Sequence, residues 1–115
     1  MNTPRRAKKS PVRLRILSGS SIAIGPGKAD LLDAIAATGS ISAAARRMGM
    51  SYRRAWLLVR TMNDCFRQPL VEAAKGGKEG GGARLTDLGD KVLTRYRRLA
   101  RDTVTSFGPY LKTAR

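Results

Sequence analysis

Three arginines and a leucine share one short run, "SYRRAWLLVR" at 51–60: Arg53, Arg54, Leu57 and Arg60. On a helix turning about 100° per residue, Arg53, Leu57 and Arg60 fall on one face. Arg54 and Trp56 flank that face, and Ala55, Leu58, Val59 and Met62 form an apolar stripe opposite. A guanidinium offers planar paired donors that fit phosphate oxygens or the major-groove edge of guanine. An apolar side chain among them can touch a thymine methyl. The chemistry this spacing points to is recognition of bases and phosphates. Trp56 reads as a packing residue wedged beside neighbouring strands rather than as a base contact.

A second constellation surrounds the glycine run Gly76–Gly82, in which five of seven residues are glycine. Lys75, Lys78 and Arg84 bring charge to it, while Gly77 and its neighbours leave the backbone N–H groups accessible to a phosphate. Glu79 runs against this pattern. Two serines, Ser42 and Ser51, stand just before apolar-periodic runs, where a hydroxyl can cap a helix.

The overall charge agrees. The chain has 115 residues, with 23 Lys and Arg against 8 Asp and Glu, for a net charge of +15. That balance implies a polyanionic partner such as double-stranded DNA, and less readily an anionic membrane surface. There is no histidine and a single cysteine, Cys65, so neither a Cys/His zinc site nor an internal disulfide can form. No metal, cofactor or catalytic residue is expected. The eight carboxylates are scattered, and "GGKEGGG" lacks the strand-to-helix setting of a phosphate-binding loop. An unpaired thiol, no apolar run near the ~18 residues of a membrane span and no apolar segment behind the basic N-terminus together point to the cytoplasm.

The elements that must carry these residues follow from periodicity. Residues 1–11, with Arg5, Arg6, Lys8 and Lys9, read as a disordered basic arm, either a solvated tail or a strap for DNA, and 12–115 as one domain. "VRLRIL" (12–17) and "SIAIG" (21–25) alternate and predict a short hairpin. From Lys28 the period becomes helical, and the helix should close at Gly39. Ser42 is expected to cap a helix over 43–48 that ends at Gly49, and Ser51 to cap a second from Tyr52 to about Cys65. Two helices joined by about three residues containing glycine make a helix-turn-helix. Ala44 and Ala45 supply the small side chains that its close crossing requires.

Strands over 69–74 and 83–86, with the glycine run between them, then make a wing. Thr86 should cap a last long helix reaching Phe107, with Asp87 and Asp90 in its first turn. That helix carries two apolar stripes. Leu88, Val92, Tyr96, Leu99 and Thr103 form one, and Leu93, Ala100, Val104 and Phe107 the other. The second suggests pairing with the same helix of another subunit. The fold class is thus mainly α with a small β component: a winged helix-turn-helix with a long C-terminal dimerisation helix. The expected DNA contacts are Ser42, Ser51, Tyr52, Arg53, Arg54, Leu57, Arg60, Lys75, Gly77, Lys78 and Arg84, and the expected dimer contacts are Leu93, Ala100, Val104 and Phe107.

The wording of "GSISAAARRMGMSYRRAW" (39–56), Met62-Asn63, "LVE" (70–72), "GGKEGGGARLT" (76–86) and Gly89 resembles the N-terminal domain of the molybdate-dependent, ModE-type transcriptional regulators, which is related to the winged helix of LysR-type regulators. The likeness covers about residues 14–104. It implies a homodimer on an inverted-repeat operator, with the helix from Ser51 in the major groove and the wing beside it. Full-length members continue into C-terminal oxyanion-binding modules, whereas this sequence ends at Arg115, so molybdate is not expected to bind this chain alone. The leading expectation is a sequence-specific transcriptional regulator. The alternative is a small architectural or non-specific nucleic-acid-binding protein.

Overall fold

The computed structural model describes residues 12–74 and 82–112. The expected arm, Lys75, Gly77, Lys78 and Glu79 lie outside the described residues. The element order is β1 (Ile16–Ser18), β2 (Ser21–Ile24), α1 (Pro26–Thr38), α2 (Ile41–Met48), α3 (Tyr52–Cys65), β3 (Val71–Ala74), β4 (Gly82–Leu85) and α4 (Asp87–Phe107), followed by a 3₁₀ turn over Gly108–Tyr110.

α1 is the central helix, packing on α2, α3, α4 and β4. Its Ala29, Leu31, Leu32, Ala34 and Ile35 are all buried. Leu31, Leu32 and Ile35 join Met62 of α3 and Leu70 ahead of β3 as the largest fully buried side chains. The helix starts two residues before the expected Lys28. Gly25 occupies the cap position and Pro26 the first turn, where a missing N–H costs nothing and proline's fixed φ already suits the helix. It ends as expected at Gly39, which adopts φ 75° and donates its N–H to the Ile35 carbonyl.

The N-cap of α2 is Ser40, not Ser42. The Ser40 hydroxyl accepts from the Ala43 N–H at 3.0 Å, and the helix already includes Ile41 and Ser42. Ser40 wins because its backbone is extended, as a cap requires. It also forms an antiparallel bridge with Gly82, while the Gly39 carbonyl accepts from Ala83 N–H at 2.9 Å. The α1–α2 turn is therefore stitched onto β4.

The expected strand over 12–17 shortens to Ile16–Ser18, with an irregularity between Ile16 and Leu17. Leu14 packs against the core, but its carbonyl accepts from the Tyr96 hydroxyl at 2.8 Å rather than joining a ladder. Ile16 is consequently exposed instead of continuing the inward alternation.

β3 and β4 pair in register, Val71 opposite Leu85 through Ala74 opposite Gly82. α4 begins at Thr86, whose hydroxyl accepts from Gly89 N–H at 2.9 Å and donates to the Pro69 carbonyl at 2.7 Å. Gly89 sits where a Cβ would stand 2.2 Å from the Leu70 carbonyl oxygen, so only glycine lets α4 lie this close to the start of β3. Leu88, Val92, Leu93 and Tyr96 then pack on the core. This corrects one expected dimer contact, because Leu93 is only 9% exposed and belongs to its own subunit's core. It falls within the half of α4 that lies on the body. Beyond Tyr96 burial falls away: Ala100 and Val104 are half-buried, and Leu99 and Phe107 are exposed.

Candidate nucleic-acid interface

The turn between α2 and α3 consists of Gly49, Met50 and Ser51. Gly49 takes φ 70° and Met50 N–H returns to the Ala45 carbonyl at 3.0 Å. This closes α2 and reverses the chain within three residues, a turn that the left-handed conformation of glycine makes accessible. Ala44 and Ala45 are both buried on α2, which packs on α1 as well as on α3. Ser51 caps α3, its hydroxyl accepting from Arg54 N–H at 3.1 Å.

The two faces of α3 separate as its spacing implied. Ala55, Val59 and Met62 are buried, and Leu58 is partly buried against the core. Ser51, Tyr52, Arg53, Arg54, Leu57 and Arg60 are all exposed. Leu57 is 45% exposed and lies between the arginines on this face. Arg53 and Arg54 form no ion pair among the described residues. Arg60 stacks over Trp56 at 5.5 Å from the ring centroid and lies 3.8 Å from the Asp64 carboxylate. Trp56, 40% exposed, lines a cleft between α3 and the wing with Ile41, Val59, Asn63, Val71 and Ala83. The tryptophan lies beside the strands, but it is exposed in the cleft rather than packed as expected, and it supports a guanidinium.

α2 adds Arg46 and Arg47, exposed in its last turn, and the exposed Ser42 hydroxyl accepts from Arg46 Nη1 at 3.4 Å. Lys28 of α1 is partly buried. That burial lowers its pKa, the Cys65 thiol works in the opposite sense, and the charge of nearby Arg54 lowers it further. On the wing, Arg84 does not extend freely: its Nε donates to Glu72 Oε2 at 2.9 Å. Ser42, the six residues of the α3 face and Arg84 are thus all exposed; the other three expected contacts are outside the described residues.

Three positioning residues escaped the sequence reading. Asn63, on the wing side of α3, accepts from Leu70 N–H at 2.8 Å and Val71 N–H at 3.1 Å, and donates to the Val71 carbonyl at 3.1 Å. It latches the base of the wing to the arginine-bearing helix. In the sequence it stood out only in the Met62-Asn63 pair of the family likeness, with no positioning role read for it. Glu72, read only within a strand and the "LVE" of that likeness, restrains Arg84. Arg97 of α4 reaches both Asp30 and Asp33 of α1. Among the described residues no group of three or more His, Cys, Asp or Glu could hold a metal ion, and no helix is long and apolar enough to cross a membrane.

The model of the bacterial regulatory helix-turn-helix proteins of the lysR family matches residues 28–90, from α1 into the first turn of α4. The chain is 48% identical over 81 residues to the molybdenum-pterin-binding protein MopB of Rhodobacter capsulatus, a match covering 70% of this chain and 30% of that protein. It is 45% identical over 75 residues to the DNA-binding transcriptional dual regulator ModE of Escherichia coli K12, covering 65% of this chain and 29% of the relative. With the molybdenum transport protein ModE of Azotobacter vinelandii it shares 38% identity over 87 residues, 76% of this chain and 32% of that one. The chain thus spans about 30% of the length of the curated relatives it matches. Its fold is similar to that in the crystal structure of a LysR family transcriptional regulator, with TM-score 0.54, 19% identity, and coverage of 76% of this chain and 30% of that one. A capped helix-turn-helix, a ribbon behind it and a family match over more than half of the chain lead to one assignment: the chain belongs to the bacterial regulatory helix-turn-helix proteins of the lysR family.

Proposed function

We propose that this protein is a sequence-specific, DNA-binding transcriptional regulator acting in the cytoplasm. The observation that carries the reading is the outer face of α3: Arg53, Leu57 and Arg60 are exposed together on a helix whose opposite face is buried. Inserted in the major groove, Arg53 reads a base edge, Leu57 meets a thymine methyl, and Arg60, steadied by Trp56, holds a base or phosphate. Ser42, Ser51, Tyr52 and Arg54 contact the flanking backbone, and Lys75, Gly77, Lys78 and Arg84 bring the wing to the neighbouring phosphates. Two copies joined through Ala100, Val104 and Phe107 of α4 present two such helices to an inverted repeat. Regulation of molybdenum-related genes is the physiological setting suggested by relatives whose names carry that element.

Selection of binding sites from random duplex DNA, with and without molybdate, tests this. Enrichment of one inverted repeat supports the reading. Enrichment of nothing favours the architectural alternative, which also has a specific observation behind it. Lys91, Arg95, Arg98 and Arg101 are exposed along α4 and make no ion pair among the described residues, as a sequence-indifferent binder would have. Tight molybdate binding by the 115-residue chain itself is not part of the proposal.

A further inference from the structure

Arg97 ties α4 to α1 across the body. Its Nη2 donates to Asp30 Oδ1 at 2.9 Å and also to Asp33 Oδ2, so one guanidinium spans two carboxylates a helical turn apart on α1. Two of the eight acidic residues of a +15 chain are committed to this contact. The Arg97 side chain is 35% exposed, while the Asp30 and Asp33 carboxylates it joins are 60% and 54% exposed. Partial burial opposes its charge, but the hydrogen bonds it donates to Asp33 and Asp30 outweigh that and raise its pKa. On the adjoining residue the Tyr96 hydroxyl is fixed to the Leu14 carbonyl at 2.8 Å. After this point Leu99 and Phe107 are exposed, so the remaining helix projects from the body.

We propose that the Arg97 clamp on Asp30 and Asp33 sets the angle of α4 against the helix-turn-helix body, and thereby selects the spacing between half-sites of the operator. The inference rests on the α4 dimer proposed above. Packing alone leaves helix crossing angles scattered by about 15–20°. Residues 98–107 project roughly 15 Å past the clamp, so a swing of about 10° moves the end of α4 by roughly 2.5 Å. In a two-fold dimer joined through α4 the swing turns each body about its clamp and enters twice, so each ~15 Å of lever arm to a recognition helix separates the pair by roughly 5 Å, against about 3.4 Å per base-pair step. Arg97 is therefore a positioning residue, acting on the recognition helices through α4 without touching DNA.

The test uses the full chain and a panel of palindromic duplexes whose half-sites are separated by successive single base pairs, with a lone half-site as reference. Wild type should prefer one spacing by about tenfold, the scale of a single mismatch. Arg97→Ala should flatten that preference while leaving lone half-site affinity unchanged, and Arg97→Lys, which keeps the charge, should restore part of it. Asp30→Asn/Asp33→Asn tests the same contact from α1, should Arg97→Ala not fold. A wild type with no spacing preference overturns the dimer reading and this inference with it. A wild type that selects one spacing, with clamp variants selecting it by the same margin, overturns the clamp alone.

Discussion

Replacing Asn63 should disturb stability and DNA binding together, because its amide is the polar latch between α3 and the base of the wing. Asn63→Ala removes three hydrogen bonds of 2.8–3.1 Å. At about 0.5–1.5 kcal/mol each they sum to roughly 2–4 kcal/mol. For a domain of this size that corresponds to a drop of roughly 10–25 °C in the thermal midpoint. Asn63→Asp separates the contributions. The aspartate keeps an oxygen for the Leu70 and Val71 N–H groups but sets its other oxygen against the Val71 carbonyl, so about 1–2 kcal/mol should be lost. Thermal and denaturant unfolding measure both variants, and titration of duplex DNA at a temperature where each is folded measures the displaced wing. An Asn63→Ala midpoint within about 0.5 kcal/mol of wild type, the scatter of ordinary surface changes, would refute the latch.

DNA affinity should fall steeply with salt, by roughly 10³–10⁵ between 50 and 200 mM for ~6–10 phosphate contacts, and titration at stepped salt checks this. Arg53→Ala should cost about 1–3 kcal/mol on the selected operator and relax one base position, whereas Glu72→Gln, by releasing Arg84, should strengthen operator and random duplex alike. Val104→Glu should render the protein monomeric in sedimentation, since it buries a charge in the proposed α4 pairing. Gly89→Ala should destabilise by about 1–3 kcal/mol despite alanine's better helix propensity, because its Cβ would meet the Leu70 carbonyl; chemical denaturation measures it, with Gly27→Ala, which has open space, as the control. The Tyr96 phenol has its pKa raised from the ordinary 10.0, chiefly by burial. Its contribution to stability is therefore complete below about pH 10 and is lost as pH rises through the folded-state value, and Tyr96→Phe should remove that alkaline component of the unfolding profile.

The parts legible in the sequence were those that local chemistry determines. Ser51, Gly39, Gly49 and Thr86 each act on backbone groups a few residues away, so their types and positions sufficed. The split faces of α3 followed from helical period alone. Where a residue's role is settled by a distant partner, the reading missed. Ser42 was read as the cap of α2, and Ser40, held by its bridge to Gly82, takes that place instead. Leu93 and Ala100 share a stripe, but the body covers only the first. Asn63, Glu72 and Arg97 act through side chains 7 to 67 residues away, beyond any periodicity.

The exposed end of α4 on so cationic a chain has a consequence for how the protein should be handled. Phe107, Tyr110 and Leu111 present apolar surface at one end of a molecule carrying +15. Two copies approaching through that end repel one another, and the repulsion reaches about 30 Å at 0.01 M salt but only about 10 Å at 0.1 M. Added electrolyte therefore strengthens self-association by the same screening that loosens the grip on a duplex. Sedimentation in dilute buffer should under-report the proposed α4 pair, and titrations in strong brine the proposed operator complex. Only intermediate ionic strength, or a bound duplex that itself neutralises both copies, lets the two equilibria be observed at once.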